Sequence, residues 1–140
     1  MKNQIRNTTL IVFLVLTVTF ATACGPPETL TDTFTEDEFR QEEFLCQDHG
    51  LEIDFRPGKL VCSGELDGEQ VVIEIIAEVV NGEGRLQILR FTKNGTNLPH
   101  EEFADTNTAL AEDTWTPEEG YAITSIVITD NDLTVIRNLK

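Results

Sequence analysis

The sequence predicts an α+β fold, ordered helix, four-stranded antiparallel meander, helix and C-terminal hairpin (α-β-β-β-β-α-β-β), with a curled sheet packed on the helices. Three observations carry this expectation. The apolar period changes from helical to two after Gly50. Turn dipeptides recur at short intervals, at Pro57-Gly58, Asp67-Gly68, Asn81-Gly82 and Asn94-Gly95. The 140-residue length suits a single core.

The first helix has a marked start. Thr35 followed by Glu38 makes a capping box, and Phe34 with Phe39 makes the hydrophobic staple around it. Glu36, Asp37 and Glu38 favour the positive end of the helix dipole. This helix is expected to run from Thr35 to about His49 and stop at Gly50, with Phe39, Phe44, Leu45 and Cys46 on its apolar face. Strands follow at 51–56 and 59–66 around a type II turn, then at 70–80 and 85–93 around turns of hairpin type. A second helix is expected from about His100 to Trp115, with Phe103, Leu110 and Thr114 on one side. Strands at 121–129 and 133–138 close the chain around Asp130-Asn131-Asp132.

The N-terminal residues have the three-part layout of a secretory signal. Lys2 and Arg6 precede an apolar run from Leu10 to Phe20, which leads into small residues. The run is too short to cross a hydrocarbon core of ~30 Å as a permanent helix. Ala21-Thr22-Ala23-Cys24-Gly25 resembles the lipobox of bacterial lipoproteins. That resemblance implies a signal peptide over 1–23 and lipidation of Cys24 as the mature N-terminus. A lipidated tether over 24–33 and a single domain over 34–140 would follow. An ordinary cleaved signal with a chance cysteine is the competing reading. The expected location is the extracytoplasmic face of the cell membrane or outer membrane, held by the lipid anchor.

Charge and cysteine count narrow the function classes. The chain has 10 basic and 25 acidic residues, a formal net charge of −15. Loss of Lys2 and Arg6 with the signal makes the mature chain more acidic still. Such a surface repels phosphate backbones and argues against nucleic acid as a partner. It is also repelled by anionic headgroups, so the membrane would be reached through the anchor rather than through charge. Of three cysteines, lipidation of Cys24 leaves Cys46 and Cys62 as a natural disulfide pair in an oxidising compartment. The competing reading is zinc, since Cys46 and His49 have C-x-x-H spacing and Cys62 and His100 could complete a set. No spacing fixes the second half of that set, so the expected site list holds no metal and no cofactor.

Several strands carry apolar residues on both faces. Val71, Ile73, Ile75, Ala77 and Val79 form one wholly apolar face, while Ile76 and Val80 interleave with Glu74 and Glu78 on the other. A sheet apolar on both sides calls for a cover on each. Curling of the sheet, a second copy, another protein or a lipid-like ligand would each supply it.

Two segments resemble LmeA-like phospholipid-binding envelope proteins. They are Arg56-Pro57-Gly58-Lys59-Leu60-Val61-Cys62-Ser63-Gly64 and the stretch from Asn94-Gly95-Thr96-Asn97-Leu98-Pro99 to Gly120-Tyr121-Ala122-Ile123-Thr124-Ser125-Ile126-Val127-Ile128-Thr129-Asp130. Those proteins are similar to tubular lipid-binding domains, in which a helix lies in a curled sheet around acyl chains. The resemblance implies a non-catalytic protein that binds a lipid or other apolar ligand in a helix/sheet groove. The expected lining is Phe39, Phe44, Val71, Ile73, Ile75, Leu86, Ile88 and Ile126. The alternative is an interaction module of the cell envelope that docks a partner or a second copy through an apolar sheet face.

Catalytic readings find little footing. Ser63 and Ser125 sit in expected strands without a nucleophile elbow, and His49 and His100 are the only imidazoles. Asp130-Asn131-Asp132 fits a hairpin turn better than a calcium loop. The expected activity is therefore binding without catalysis.

Overall fold

A computed structural model describes residues 25–41, 45–112 and 115–140. In chain order these form β1 (Thr29–Thr35), α1 (Glu36–Gln41), α2 (Leu45–Asp48), β2 (Glu52–Arg56), β3 (Lys59–Leu66), β4 (Glu69–Val80), β5 (Glu83–Lys93) and β6 (Thr96–Asn97). A 3₁₀ turn (His100–Glu102), α3 (Ala104–Glu112), β7 (Tyr121–Ile128) and β8 (Asp132–Leu139) complete the chain. The elements make two antiparallel sheets, β2-β3-β4-β5-β6 and β1-β8-β7.

The expected meander is present, and its turns explain its register. Asp67, Asn81 and Asn94 take φ of 53°, 53° and 47°, each followed by a glycine at 80°. Two consecutive positive-φ residues make the tight turn whose twist matches the flanking strands. These turns set Leu60 against Ile75 and Cys62 against Ile73. The register then shifts between Glu74 and Ile75, so that β5 bulges at Leu89.

The structure departs from the sequence reading in three places. First, the residues expected to form a tether are a strand from Thr29 onward. β1 pairs with β8 from Thr29–Asn138 to Thr35–Asp132, and among the described residues Gly25–Glu28 precede it. Second, the C-terminal hairpin joins β1 in a separate sheet instead of extending the meander, and β6 adds a short fifth strand to the meander. Third, the second helix is shorter than expected; α1 and α2 both lie within the first expected helix, and residues 42–44 between them lie outside the described set. The second expected helix is a 3₁₀ turn and α3, while Trp115 bridges to Gly84 as extended chain.

The N-terminal signature of the first helix holds in atomic detail. The Thr35 backbone N–H donates to Glu38 Oε2 at 2.8 Å, and the Glu38 N–H donates to Thr35 Oγ1 at 3.2 Å. The bond from the Thr35 N–H, joined by one from the Thr35 hydroxyl to the same oxygen at 3.0 Å, holds the Glu38 carboxyl below its ordinary pKa. Phe39 is buried, and its ring meets Phe55 edge-on at 5.6 Å.

One core lies between the two sheets. β7 lies against β4 and β5 and is tied to two hairpin tips of the larger sheet, at Gly58 and Gly82. The Ile123 N–H donates to the Gly82 carbonyl, and the Gly58 N–H donates to the Ile128 carbonyl, each at 2.9 Å. At the seam, a Cβ on Gly84 would lie 2.7 Å from Ile126 Cδ1 and 3.0 Å from Trp115 Cε3. Only glycine lets the chains approach this closely. Helix α3 covers β5 through Leu110 and Phe103, whose ring centroid lies 6.0 Å from that of Phe91.

Candidate functional site

The expected groove residues meet as the interior itself. Val71, Ile73 and Ile75 on β4 and Leu86 and Ile88 on β5 alternate onto one face, as a period of two requires. They are all at least 96% buried and pack with Phe39, Phe55, Leu133 and Val135 in one cluster. Ile126 is partly buried at the margin of that cluster, beside Trp115 and Val79. Phe44 and Cys24 lie outside the described residues. Of the residues named for a ligand, Phe39, Val71, Ile73, Ile75, Leu86 and Ile88 pack in this one cluster.

Cys46 and Cys62 are joined in a disulfide, with their Cα atoms 5.6 Å apart and both residues fully buried. The α2 end presents Cys46 because the turn closes on it. The Leu51 N–H donates to the Cys46 carbonyl at 2.7 Å, and the Gly50 N–H donates to Gln47 at 3.0 Å. Both sulfurs are committed to that bond. His49 and His100 are exposed, the latter 5.1 Å from the Phe103 ring. Among the described residues no three His, Cys, Asp or Glu side chains gather as a metal site. No described helix is long and apolar enough to cross a membrane.

What lies open is the other side of the five-stranded sheet. Register places Glu52, Ser63, Val72 and Thr92 in one row across it. Asp54, Val61, Glu74 and Arg90 make the next row, and Arg56, Lys59, Ile76 and Gln87 the one after. Val80 and Glu83 stand at the far end. Val72 is 40% exposed, and Leu89, on the β5 bulge, is 56% exposed. Four cations share this face in a chain that has few of them: Arg56, Lys59, Arg85 and Arg90.

Glu74 is the electrostatic centre of the face. Lys59 Nζ lies 2.6 Å from Glu74 Oε1 and Arg90 Nε lies 3.5 Å from Oε2. The hydrogen bond from Lys59 holds the Glu74 carboxyl below its ordinary pKa. Burial opposes this, while the charges of Lys59, Arg90 and Arg56 add to it. In the sequence Glu74 stands out only as a charge interleaved with Ile76 and Val80 on one strand face. The spacing of Lys59, Glu74 and Arg90 brings them together only once the hairpin registers are known. The result is a half-apolar sheet face with an ion-paired carboxylate at its centre.

Two shallow clefts lie elsewhere. One, of about 370 Å³, is lined by Arg40, Gln47, Leu51, Glu52 and Ile53. The other, of about 450 Å³, is lined by Thr35, Glu36, Asp37, Asp130 and Asn131. Among known proteins, no family model, no curated sequence and no solved structure matches this chain.

Proposed function

We propose that this chain is a lipid-anchored, extracytoplasmic and non-catalytic docking module of a bacterial cell envelope, held through Cys24. The observation that supports docking is the outer face of the five-stranded sheet, where Val72, Ile76 and Val80 stand among Lys59, Glu74 and Arg90 with no described element over them. The occupant is an envelope protein or a second copy of the chain. Apolar contacts supply affinity there, and the fixed charge pattern discriminates among partners. With β1 beginning at Thr29, an anchor at Cys24 leaves roughly five residues of slack, about 17 Å at full extension. The domain would then work close to its bilayer.

The test is a photo-crosslinking residue at position 72 in the membrane-attached chain, compared with the same residue at the exposed Thr108 of α3. The docking reading expects a discrete adduct at 72 and none at 108. Identical patterns at both positions would overturn it.

A second reading, apolar-ligand binding related to LmeA-like proteins, draws support from the partly buried rim of Val79, Trp115 and Ile126. Entry there would have to part the interior. Native mass spectrometry with lipid extraction decides the matter: a stoichiometric lipid mass would restore this reading over docking.

A further inference from the structure

Among the described residues, β2, β5 and β7 each have outward main-chain groups met by a neighbouring element, whereas Thr29, Thr31 and Thr33 of β1 have none. On β2, the Phe55 N–H donates to Glu36 Oε2 at 2.9 Å and Arg40 donates to the Ile53 carbonyl at 3.0 Å. On β5, the Ile88 N–H donates to Asn107 Oδ1 at 2.7 Å, and Gly84 exchanges two bonds with Trp115. β7 is held at its two ends by Gly82 and Gly58.

β1 differs. The Leu139 N–H donates to the Glu28 carbonyl, and the Glu36 N–H donates to the Asn131 carbonyl, each at 2.9 Å. In an antiparallel ladder these two bonds assign the even-numbered residues to β8. The N–H and C=O groups of Thr29, Thr31 and Thr33 therefore point away from the sheet, and no described residue meets them. Thr35 shares their parity, but its N–H is taken by Glu38. β1 pairs without a bulge and contains neither proline nor lysine, so the usual devices against strand addition are missing. Its one charge, Asp32, is held by the buried Arg137 beneath the sheet.

The charge around this edge says what it would accept. Glu28, Asp32, Asp37 and Asp130 are all exposed along or at the ends of β1. At its Thr35 end Glu36, Asp37 and Asp130 line the cleft of about 450 Å³. A second copy would bring the same acids against themselves, in a chain of net charge −15. We propose that the open edge of β1 takes up an extended, basic peptide segment of another protein as an added strand. Its main chain bonds Thr29, Thr31 and Thr33, and a lysine or arginine side chain enters the acidic cleft. Strand addition draws affinity from main-chain bonds and selectivity from side-chain pockets. This surface is separate from the sheet face around Glu74, so either proposal stands if the other falls.

The experiment is amide hydrogen exchange on the full chain in detergent, with a short peptide of alternating lysine and valine as probe. Its controls are a glutamate–valine counterpart and the Thr31→Pro variant. Proline at 31 removes only an outward N–H, so β1 keeps its bonds to β8; near-UV circular dichroism reports whether the fold is intact. The expected result is fast exchange at Thr31 and Thr33 in the free chain, slowed at least about tenfold by the basic peptide and unaffected by the acidic one. Thr31→Pro should abolish binding. Should that variant not fold, Asp37→Lys with Asp130→Lys keeps the edge and should erase the preference for the basic peptide. Slow exchange in the free chain, meaning that a second copy or the chain's own N-terminal segment already fills the edge, would overturn the proposal. So would equal protection by both peptides, or binding that leaves these amides unchanged.

Discussion

The two sheets share one interior and differ in how they are finished. The five-stranded sheet is braced: a disulfide ties β3 to α2, carboxylate and guanidinium groups close the β2 edge, and Asn107 closes β5. Its outer face is a mosaic of apolar and ion-paired residues. The three-stranded sheet has no such fittings on β1, and its outer face sets the threonines of β1 and Thr134 beside Ile136 and the exposed Val127, without ion pairs among the described residues. Thr33 bonds Thr134 at 3.2 Å and Thr29 bonds Asn138 at 3.1 Å. Burial is similar on the inner faces, so the hydrophobic effect does not separate the two sheets. The difference lies in the polar groups that finish an edge, and it marks where a partner can still add hydrogen bonds.

The largest break in this comparison comes from the brace. Cys46→Ala with Cys62→Ala opens a loop of sequence separation 16 and should cost about 3 kcal/mol of stability by the loop-entropy argument. Urea unfolding measures it. The loss should appear first as exchange at β2 and β3 amides, while β1, β8 and β7 keep their protection. Uniform loss over both sheets would mean that the brace serves the whole core and that the contrast is superficial.

Next comes the seam. Gly84→Val places two methyl groups where Ile126 and Trp115 already stand and should destabilise by about 2 kcal/mol through overpacking. Because the seam joins the sheets, this change should loosen both, which distinguishes it from loss of the disulfide.

Glu36→Ala sharpens the comparison by making the β2 edge resemble β1. It removes the acceptor for the Phe55 N–H and the partner of Arg40. About 1 kcal/mol should be lost, since the freed N–H can turn to water. If the variant now self-associates through β2, as read by sedimentation, edge closure is what kept that sheet apart.

The meander was legible because its determinants are local. Asn-Gly and Asp-Gly set the turns, and alternation then assigned Val71, Ile73, Ile75, Leu86 and Ile88 to one face. What they face was not legible. The same residues were expected to line a groove, because the sequence does not disclose that β7 and β8 fold over them. β1 shows the limit well. Its threonines alternate with Leu30, Asp32 and Phe34, a period of two, yet its partner lies about a hundred residues away and the stretch reads as a tether. The second helix was read too long for a related reason. The capping box started α1 correctly, but nothing local ends the later helix before Trp115, which instead pairs with Gly84 far back in the chain.

The smallest expected effect is also the most specific. Glu74 is held charged chiefly by the hydrogen bond from Lys59, so its folded pKa lies below its unfolded one. A carboxyl shifted this way contributes its full stabilisation above the unfolded value of ~4.3 and loses it as pH falls through the folded value. Glu74→Gln keeps the shape and removes the titration. At neutral pH the variant should be less stable by under about 1 kcal/mol, since Lys59 and Arg90 are solvent-accessible and salt screens them. Below pH ~4 the two proteins should converge as the wild type loses its pair. A gap that persists into acid would show that Gln fails for packing reasons. In that case the charge at the centre of the sheet face would not contribute to folding, and any pressure to keep it there would have to come from what docks on it.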